Sequence, residues 1–286
     1  MAVSNTGFTN YHTHCLHCDG AGVPEAYVQE AVNQGFDALG FSSHAPLPLE
    51  NEWTIKPGQL GDYLADIRKL KTLFNDRLRI WLALEADYVP GMTEDFSLLK
   101  STNGLDYIIG AVHLVKKAGQ DQFWFIDGPV KNYDKGLKEI YDMDIRCAVE
   151  DYFRQIWEMI AAGGFDLIAH ADKVKMNNRG RYFSTEESWY GDLIAETVSR
   201  LSAASAIVEV NTRGIYKQRY PETYPSPDML KALLNAGVRV TISTDAHHPS
   251  EISSGIPDAR RLLVHLGYKE TMVLGADGWE PRPLSL

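Results

Sequence analysis

The chain has 286 residues, of which 44% are hydrophobic and 23% charged, an ordinary composition for a globular protein. Its formal net charge of −10 at pH 7 repels nucleic-acid phosphates, so no nucleic-acid partner is expected. The sequence shows no secretory leader and no apolar run long enough to span a bilayer, which predicts a cytoplasmic location without a membrane partner. Three cysteines, an odd and low number, argue against a disulfide-rich secreted scaffold.

Short apolar runs alternate with amphipathic stretches along the chain. The runs are rich in β-branched residues, as buried parallel strands are. They predict strands at residues 8–14, 38–43, 80–86, 107–113, 167–170, 206–211, 239–244 and, from a weaker pattern, 272–274. Proline near a helix start and glycine after a helix end mark helix boundaries. The predicted helices are residues 24–34, 57–74, 145–162, 185–203, 227–236 and 257–266.

This alternation of strands and helices predicts the fold class. Strands separated by helices pair in parallel, and seven or eight such units in one chain favour an α/β barrel over an open sheet. No repeat, low-complexity segment or linker divides the sequence, so we predict one domain over residues 1–286. Residues 116–144, rich in glycine, aspartate and aromatic residues, are predicted to form a long loop of a kind that is often functional.

Potential metal ligands lie at the ends of the predicted strands. They are His12 and His14 at the first strand, His44 after the second, Glu85 in the third, His113 and His170 at the fourth and fifth, and Asp245 with His247 after the seventh. The carboxyl ends of parallel strands meet on one face, where α/β enzymes form their active sites. A single strand-end histidine is ordinarily structural, but the convergence of the whole set predicts a metal site.

The residue types indicate which ions this site would hold. Imidazole and carboxylate groups suit Zn, Fe and Mn. His12 and His14 are one residue apart on a strand and point to the same face, so one ion can bind both rings. A carboxylate such as Glu85 can bridge two ions. The set exceeds the three or four protein ligands that one ion needs, which predicts two or three divalent transition-metal ions.

The first predicted strand is followed by further candidate ligands. Cys15 and Cys18 form a C-x-x-C pair without a second pair elsewhere, so we interpret both as packing residues beside the metal face. His17 lies between them and is out of phase with the strand, which makes Asp19 the better candidate ligand. Asp87 is interpreted as a strand-edge or turn residue.

Basic residues after the fifth and sixth strands are candidate phosphate contacts. Segment 213–217 is either a solvated loop or an anion-binding wall, since the guanidinium of Arg213 presents a fork suited to phosphate. Lys175 is a weaker candidate of the same kind. The predicted substrate contacts are Arg213, Tyr216, Lys217, Lys175 and Ser43.

Several segments together resemble a known family. YHTHCLHCDG, GFSSHAP, LEADY, GAVHL, IAHADK and STDAHH span residues 11–248 and are similar, in the same order, to segments of the polymerase and histidinol phosphatase family of metal-dependent phosphoesterases. GFSSHAPLP, IAHADKVKMN and EVNTRGIYK most resemble the branch of stand-alone L-histidinol-phosphate phosphatases. The resemblance implies a distorted (β/α)7 barrel with up to three metal ions at the carboxyl ends of its strands.

Carried over by position, the resemblance implies three metal sites. They are His12, His14, Glu85 and Asp245 for the first, Glu85, His113 and His170 for the second, and Asp19, His44 and His247 for the third. Some family members place a histidine just after the glycine of the first segment, whereas this chain has Ala21 after Gly20. The third site therefore stays open between Asp19 and His17.

The resemblance also implies a reaction, the hydrolysis of L-histidinol phosphate to L-histidinol and phosphate in histidine biosynthesis. Arg213 would stabilise charge on the phosphoryl oxygens, and Asp245 or His247 would move the proton to the leaving group. Three alternatives remain: another small phosphate or nucleotide as substrate, carbon–nitrogen hydrolysis by an amidohydrolase-like barrel, and a non-catalytic metal-binding module. The metal identity and the oligomeric state are not predicted.

Overall fold

The computed structural model describes residues 7–93, 95–204 and 206–284. In chain order, its strands are β1 (Thr9–Asn10), β2 (Ala38–Phe41), β3 (Arg79–Asp87), β4 (Tyr107–Ala111), β5 (Leu114–Lys116), β6 (Phe123–Phe125), β7 (Leu167–Ile168), β8 (Ile207–Asn211), β9 (Arg239–Ser243), β10 (Glu270–Gly275) and β11 (Gly278–Pro283). Its α-helices are α1 (Pro24–Asn33), α2 (Leu60–Leu73), α3 (Phe96–Asn103), α4 (Val130–Tyr141), α5 (Ile145–Ala162), α6 (Lys175–Asn178), α7 (Ser188–Ala204), α8 (Arg213–Tyr216), α9 (Pro227–Asn235) and α10 (Ile256–Leu266).

Seven of these strands form one parallel sheet in the order β1-β2-β3-β4-β7-β8-β9. Hydrogen bonds just beyond β1 and β9 connect the two edges of the sheet: the His14 N–H donates to the Ala246 carbonyl (2.8 Å), and the Ala246 N–H donates to the His12 carbonyl (3.1 Å). The Asn10 amide also donates to Thr244 Oγ1 at 2.8 Å. The strands therefore form a nearly closed barrel, which confirms the predicted fold class.

Close packing fills the barrel below the site. The Tyr107 hydroxyl donates to the Tyr11 carbonyl, and the Tyr63 hydroxyl donates to the Ala83 carbonyl at 2.8 Å. A Cβ atom at Gly40 would lie 2.0 Å from the Tyr107 hydroxyl, so glycine is needed there for the tyrosine to cross the barrel. This packed floor supports the strand ends above it, because a close-packed interior resists small displacements.

The prediction of a long loop at residues 116–144 was wrong. The hairpin of β5 and β6 pairs Leu114 with Phe125, and α4 follows the hairpin. Helix α4 buries Tyr133, Leu137 and Tyr141, one side chain in every fourth position, against the hairpin and its buried Trp124. The many glycines and aspartates of the segment concealed this helical spacing, which the sequence does contain.

Other predicted elements differ in extent. The first and fifth predicted strands shorten to β1 and β7, because the chain turns before the ligands: His170 has a φ of 27°. The weakly predicted strand at 272–274 lies in the antiparallel β10–β11 hairpin outside the barrel sheet. Helix α3, capped by Asp95, was missed. In the part of the chain that is described, no helix has the length and hydropathy needed to cross a membrane.

Candidate metal centre

The predicted ligands converge at the carboxyl ends of the barrel strands. The ligands form three groups, and within each group the ligand atoms all lie within 4.8 Å of one another. The groups are His14, Asp19, His44 and His247; His12, His14 and Asp245; and His44, Glu85 and His113. His170 joins the same cluster, with its Nε2 atom 3.2 Å from Nε2 of His113. The grouping differs from the implied sites. His14 joins Asp19, His44 and His247; Glu85 is absent from the group of His12, His14 and Asp245; and His44 takes the place of His170 beside Glu85 and His113.

Glu85 is the centre of this cluster. Its Oε2 atom lies 3.1 Å from Nε2 of His12 and 3.0 Å from Nδ1 of His44, and its Oε1 atom lies 3.0 Å from Nε2 of His170. Burial raises the pKa of Glu85, but the charges of His12, His44 and His113 outweigh burial and hold it well below its usual value. The carboxylate is therefore ionised, with both oxygens directed at imidazoles, as a bridging ligand requires.

Asp245 forms the opposite side of the cluster. Its Oδ1 atom lies 3.4 Å from Nε2 of His14 and 3.4 Å from Nδ1 of His247. The residue has a φ of 53°, a left-handed conformation that is uncommon outside glycine. His170, another ligand, shares this feature. Backbone strain of this kind persists where surrounding structure holds a functional side chain in place.

Two buried carboxylates orient the ligand histidines from behind. Glu209 Oε1 accepts from Nδ1 of His12 at 2.6 Å, and Asp87 Oδ1 accepts from Nδ1 of His113 at 3.0 Å. Each bond holds a ring hydrogen on Nδ1, so Nε2 is the nitrogen that faces the cluster and would bind a metal. The interpretation of Asp87 as only a strand-edge residue was therefore incomplete. The sequence signal for this role was the position of Asp87, two residues after Glu85 on the same strand and therefore on the same face.

The donors fit divalent transition-metal ions. Within the described residues, Nε2 of His12, Nε2 of His14 and Nδ1 of His44 are buried and make no hydrogen bond, although each lies within 3.4 Å of Glu85 Oε2. Buried polar atoms are nearly always satisfied, so inward-facing imidazole nitrogens beside carboxylates indicate a bound cation. Burial and the charges of His247 and His44 lower the pKa of His14 well below its usual value. This ring is therefore neutral, the form that binds a metal.

The residues around Asp19 clarify the choice left open for the third site. Nε2 of His17 lies 2.9 Å from Oδ2 of Asp66, outside the three ligand groups. Asp19 Oδ1 lies 3.3 Å from Nε2 of His247. The arrangement favours Asp19 over His17. Cys15 is buried, in agreement with a packing role.

A cavity of about 340 Å³ opens over the cluster, and cationic side chains form one of its walls. Lys173 Nζ lies 2.7 Å from Asp127 Oδ2 and 3.9 Å from Asp245 Oδ2. Arg213 also lines the cavity and donates to the Asp245 carbonyl at 2.5 Å. Arg219 lines it too and lies 3.3 Å from Asp127 Oδ1. We call Lys173, Arg213 and Arg219 the cationic wall.

The structure places Lys175 outside the cavity. Its ammonium group is buried, donates to Asp172 Oδ2 at 2.6 Å and lies 3.3 Å from Glu222 Oε2. Lys173 lines the cavity instead, and the sequence reasoning missed it. The signal was its position three residues after His170, within a turn that begins at the strand end.

The remaining predicted substrate contacts support the cavity rather than line it. Tyr216 accepts a hydrogen bond from Arg213 Nη1 at 3.3 Å and donates to the Thr244 carbonyl at 2.9 Å, so it positions the arginine. Lys217 forms an ion pair with Glu251. Ser43 is fully buried beside the barrel strands. Among the predicted substrate contacts, Arg213 alone belongs to the cavity lining.

The fold and the site define an α/β barrel with a divalent-metal cluster and a cavity lined on one side by the cationic wall. The chain belongs to the PHP domain family, whose model matches residues 10–213. Its sequence is 28% identical over 271 residues to a probable histidinol-phosphatase of Deinococcus radiodurans, covering 92% of this chain and 95% of that protein. It is 25% identical to a probable histidinol-phosphatase of Schizosaccharomyces pombe, covering 93% and 90%.

Two solved structures share the fold. A histidinol phosphate phosphatase from Lactococcus lactis, complexed with Zn, L-histidinol and phosphate, has a TM-score of 0.68 and 19% identity, covering 96% of this chain and 99% of that one. A candidate histidinol phosphatase from Listeria monocytogenes has a TM-score of 0.78 and 19% identity, covering 88% and 99%.

Proposed function

We propose that this protein is a metal-dependent phosphomonoesterase that hydrolyses L-histidinol phosphate to L-histidinol and phosphate. One observation carries the proposal: the cationic wall lines the same cavity as the buried cluster of histidines and carboxylates. A phosphate monoester brings a dianion to the cavity. A guanidinium group can donate two parallel hydrogen bonds to phosphate oxygens, and an ammonium group adds a point positive charge.

The relatives support the substrate. The Deinococcus radiodurans and Schizosaccharomyces pombe proteins, both described as probable histidinol-phosphatases, align with nearly the whole chain. The Lactococcus lactis structure holds L-histidinol and phosphate, the two products of the proposed reaction, together with Zn. We propose two or three divalent ions of Zn, Fe or Mn, held by the residues of the cluster around Glu85 and Asp245.

The protein's own residues would bind the phosphate and supply a proton to the leaving group. When bound, divalent ions supply Lewis-acid polarisation and lower the pKa of water. Arg213, Lys173 and Arg219 hold the phosphoryl oxygens and stabilise their charge in the transition state. The leaving alkoxide needs a proton, for which Asp245 and His247 are the candidates. His247 donates from Nδ1 to the Asp245 carbonyl at 3.0 Å, so Nε2, 3.3 Å from Asp19 Oδ1, is the atom that would either hold a metal ion or carry the proton, but not both.

A substrate panel tests the proposal. The protein is loaded separately with Zn, Mn and Fe, and kcat/KM is measured for L-histidinol phosphate, nucleotides, sugar phosphates and an amide panel. We expect L-histidinol phosphate to be the best substrate and a chelator to abolish turnover. Preference for a nucleotide or sugar phosphate would assign another phosphatase activity. Amide hydrolysis would assign a carbon–nitrogen hydrolase, and metal binding without turnover would assign a non-catalytic module.

Metal analysis tests the number of ions. We expect gently purified protein to contain more than one transition-metal ion per chain, because its ligand-type residues exceed one coordination sphere. Titration of metal-free protein should restore activity only beyond the first equivalent. Full activity at one ion per chain would contradict the multinuclear site.

A further inference from the structure

A carboxylate interrupts the cationic wall. Asp127 lines the cavity between two of the cations, with Oδ2 at 2.7 Å from Lys173 Nζ and Oδ1 at 3.3 Å from Arg219 Nη1. The Gly128 N–H also donates to Oδ1 at 2.6 Å. An anion in this place repels an incoming phosphate. A site that selected phosphate alone would gain from a neutral residue here.

One role of the Asp127 carboxylate is to neutralise Lys173. The lysine side chain is only 4% exposed, and a buried ammonium group needs a partner. Asp245 Oδ2, at 3.9 Å, already supplies part of that charge. Asp127 itself is 20% exposed and reaches the cavity, so it remains accessible to a ligand. A carboxylate has about four hydrogen-bond sites, and the three contacts from protein donors leave room for one more.

The chemistry of the proposed substrate accounts for this carboxylate. L-Histidinol phosphate carries its α-ammonium group and its phosphoester oxygen on adjacent carbons. A group that binds the ammonium must therefore lie beside the groups that hold the phosphate. Asp127 has that position, since it contacts Lys173 and Arg219 directly. A charge-assisted hydrogen bond to the ammonium would be among the strong ones in the site.

Aromatic residues line the same cavity as Asp127. Phe125, two residues earlier in β6, stacks on Trp53 with ring centroids 4.8 Å apart and an interplanar angle of 15°. Both residues line the cavity. The imidazole, joined through one methylene to the ammonium-bearing carbon, would lie against these aromatic rings.

We propose that Asp127 binds the α-ammonium group of the substrate and thereby selects amino-alcohol phosphates over phosphate esters that lack an ammonium group. The inference rests on the proposed function, since it names a selecting residue within that same site. Asp127 binds substrate, while the cationic wall holds the phosphate.

The test compares Asp127→Asn with wild type on L-histidinol phosphate, its deamino analogue and 4-nitrophenyl phosphate. Asp121→Asn is the matched control, because Asp121 lies in the same hairpin and its side chain is 92% exposed. We expect kcat/KM for L-histidinol phosphate to fall roughly 10–100-fold in Asp127→Asn, the worth of one hydrogen bond to a charged group. The other two substrates should lose a clearly smaller factor, the part that acts through Lys173 and Arg219, and the control should match wild type.

Product inhibition gives an independent readout. With 4-nitrophenyl phosphate as the reporter, the inhibition constant of L-histidinol should rise in Asp127→Asn, whereas that of inorganic phosphate should not. Asp127→Glu keeps the charge and should recover part of the selectivity. Melting temperatures of all variants verify that each is folded.

Three outcomes would overturn the inference. An equal loss on all three substrates would mean that Asp127 acts only through Lys173. Retained selectivity in Asp127→Asn, with selectivity lost instead in Glu52→Gln, would move ammonium recognition to the cavity-lining Glu52. Wild-type protein that does not hydrolyse L-histidinol phosphate would overturn the proposed function itself, and the wild-type measurement separates that result from the other two.

Discussion

The two sides of the cavity are built from different parts of the fold. The metal side consists of side chains at barrel strand ends, such as His12 and Glu85, which are almost completely buried and contact other ligands. The substrate side consists of residues in turns and loops after the strands, such as Lys173, Arg219 and Asp127. Parallel pairing fixes where strand ends meet, whereas loops vary without disturbing the barrel.

Burial separates the extremes of the two sides, although Lys173 on the cationic wall is itself only 4% exposed. The Glu85 side chain is 1% exposed, whereas that of Arg219 is 38% exposed. A buried ligand that contacts several others cannot be changed without affecting the whole cluster. Arg219, by contrast, pairs with Asp127, which lies outside the ligand groups. Changes on the metal side should therefore affect all substrates alike, and changes on the substrate side should depend on the substrate.

Glu85→Gln should have the largest effect. A neutral amide bridges two cations poorly, so activity on every phosphate ester should fall by more than the about 10²–10³-fold that loss of one electrostatic donor costs. Turnover of L-histidinol phosphate and 4-nitrophenyl phosphate, together with metal content, provides the measurement. The fold should persist, because a chain of this size does not need a metal to fold. Wild-type turnover by this variant would refute the central role of Glu85.

Arg213→Ala should cost roughly 10²–10³-fold in kcat/KM by removing one contact to the phosphoryl oxygens. L-Histidinol phosphate and an aryl phosphate should lose similar factors, and metal content should stay unchanged because arginine is not a metal ligand. Arg213→Lys should recover only part of the loss, since lysine lacks the bidentate fork.

Arg200→Ala is the control for this change, because Arg200 lies on the exposed surface of α7 and pairs with Glu196. It should match wild type. A loss confined to L-histidinol phosphate in Arg213→Ala would place Arg213 in the amino-alcohol pocket instead. No loss on either substrate would remove it from the site.

The same contrast explains how much the sequence predicted. The positions of His113 and Asp245 followed from strand ends, because parallel strands must bring their carboxyl ends together. The substrate side depended on turn geometry that apolar patterns do not encode. Lys175 was named as a candidate contact and Lys173 was not considered, although of the two lysines after His170 it is Lys173 that lines the cavity. The glycines and aspartates of residues 116–144 obscured the pattern of α4 and of the β5–β6 hairpin, and Asp127 lies between these two elements.

Asp87→Asn should have a smaller effect than loss of a direct ligand. Asp87 accepts from Nδ1 of His113 and does not belong to the ligand groups. Removing such an outer carboxylate typically lowers metal affinity or activity by about 10–100-fold. Competition with a chromogenic chelator would measure the affinity. An unchanged affinity and rate would show that the His113 ring keeps its orientation without the carboxylate.

Metal binding should release protons, because the Asp87 carboxylate behind His113 raises the pKa of that ligand. Burial lowers the pKa of His113, but the charges of Asp87 and Glu85 outweigh burial and raise it to about 9. The ring is therefore protonated at neutral pH in metal-free protein, and it must lose that proton to bind a metal. Calorimetry at pH 7 in buffers of different ionisation enthalpy should detect the release.

The Asp87→Asn variant sharpens this measurement. Without the Asp87 charge, the pKa of His113 should fall, so fewer protons should be released per metal at pH 7. Release should also diminish in wild type as the pH rises through about 9, where His113 is already neutral. An unchanged number of protons in the variant would mean that another group supplies them.

Lys173 and Lys175 give the closest comparison between a cavity residue and a structural one. Lys173 lines the cavity, whereas Lys175 is fully buried with Asp172 and lies near the rings of Tyr220 and Tyr224. Lys175→Met leaves the Asp172 carboxylate buried without its main cation, which should cost about 3–5 kcal/mol of unfolding free energy. Its kcat/KM should stay within about threefold of wild type, since no substrate contact is lost.

A paired change separates the ion pair from the site. Replacing both partners, as Lys175→Met with Asp172→Leu, should be less destabilising than Lys175→Met alone, because no buried charge is then left without a partner. Lys173→Met should behave in the opposite way and lose activity on every phosphate ester in protein that still folds. Denaturant unfolding and kcat/KM, measured on the same preparations, distinguish the two lysines. If Lys175→Met lost catalysis without losing stability, Lys175 in α6 would have to be assigned to substrate contact and not to the stability of the fold.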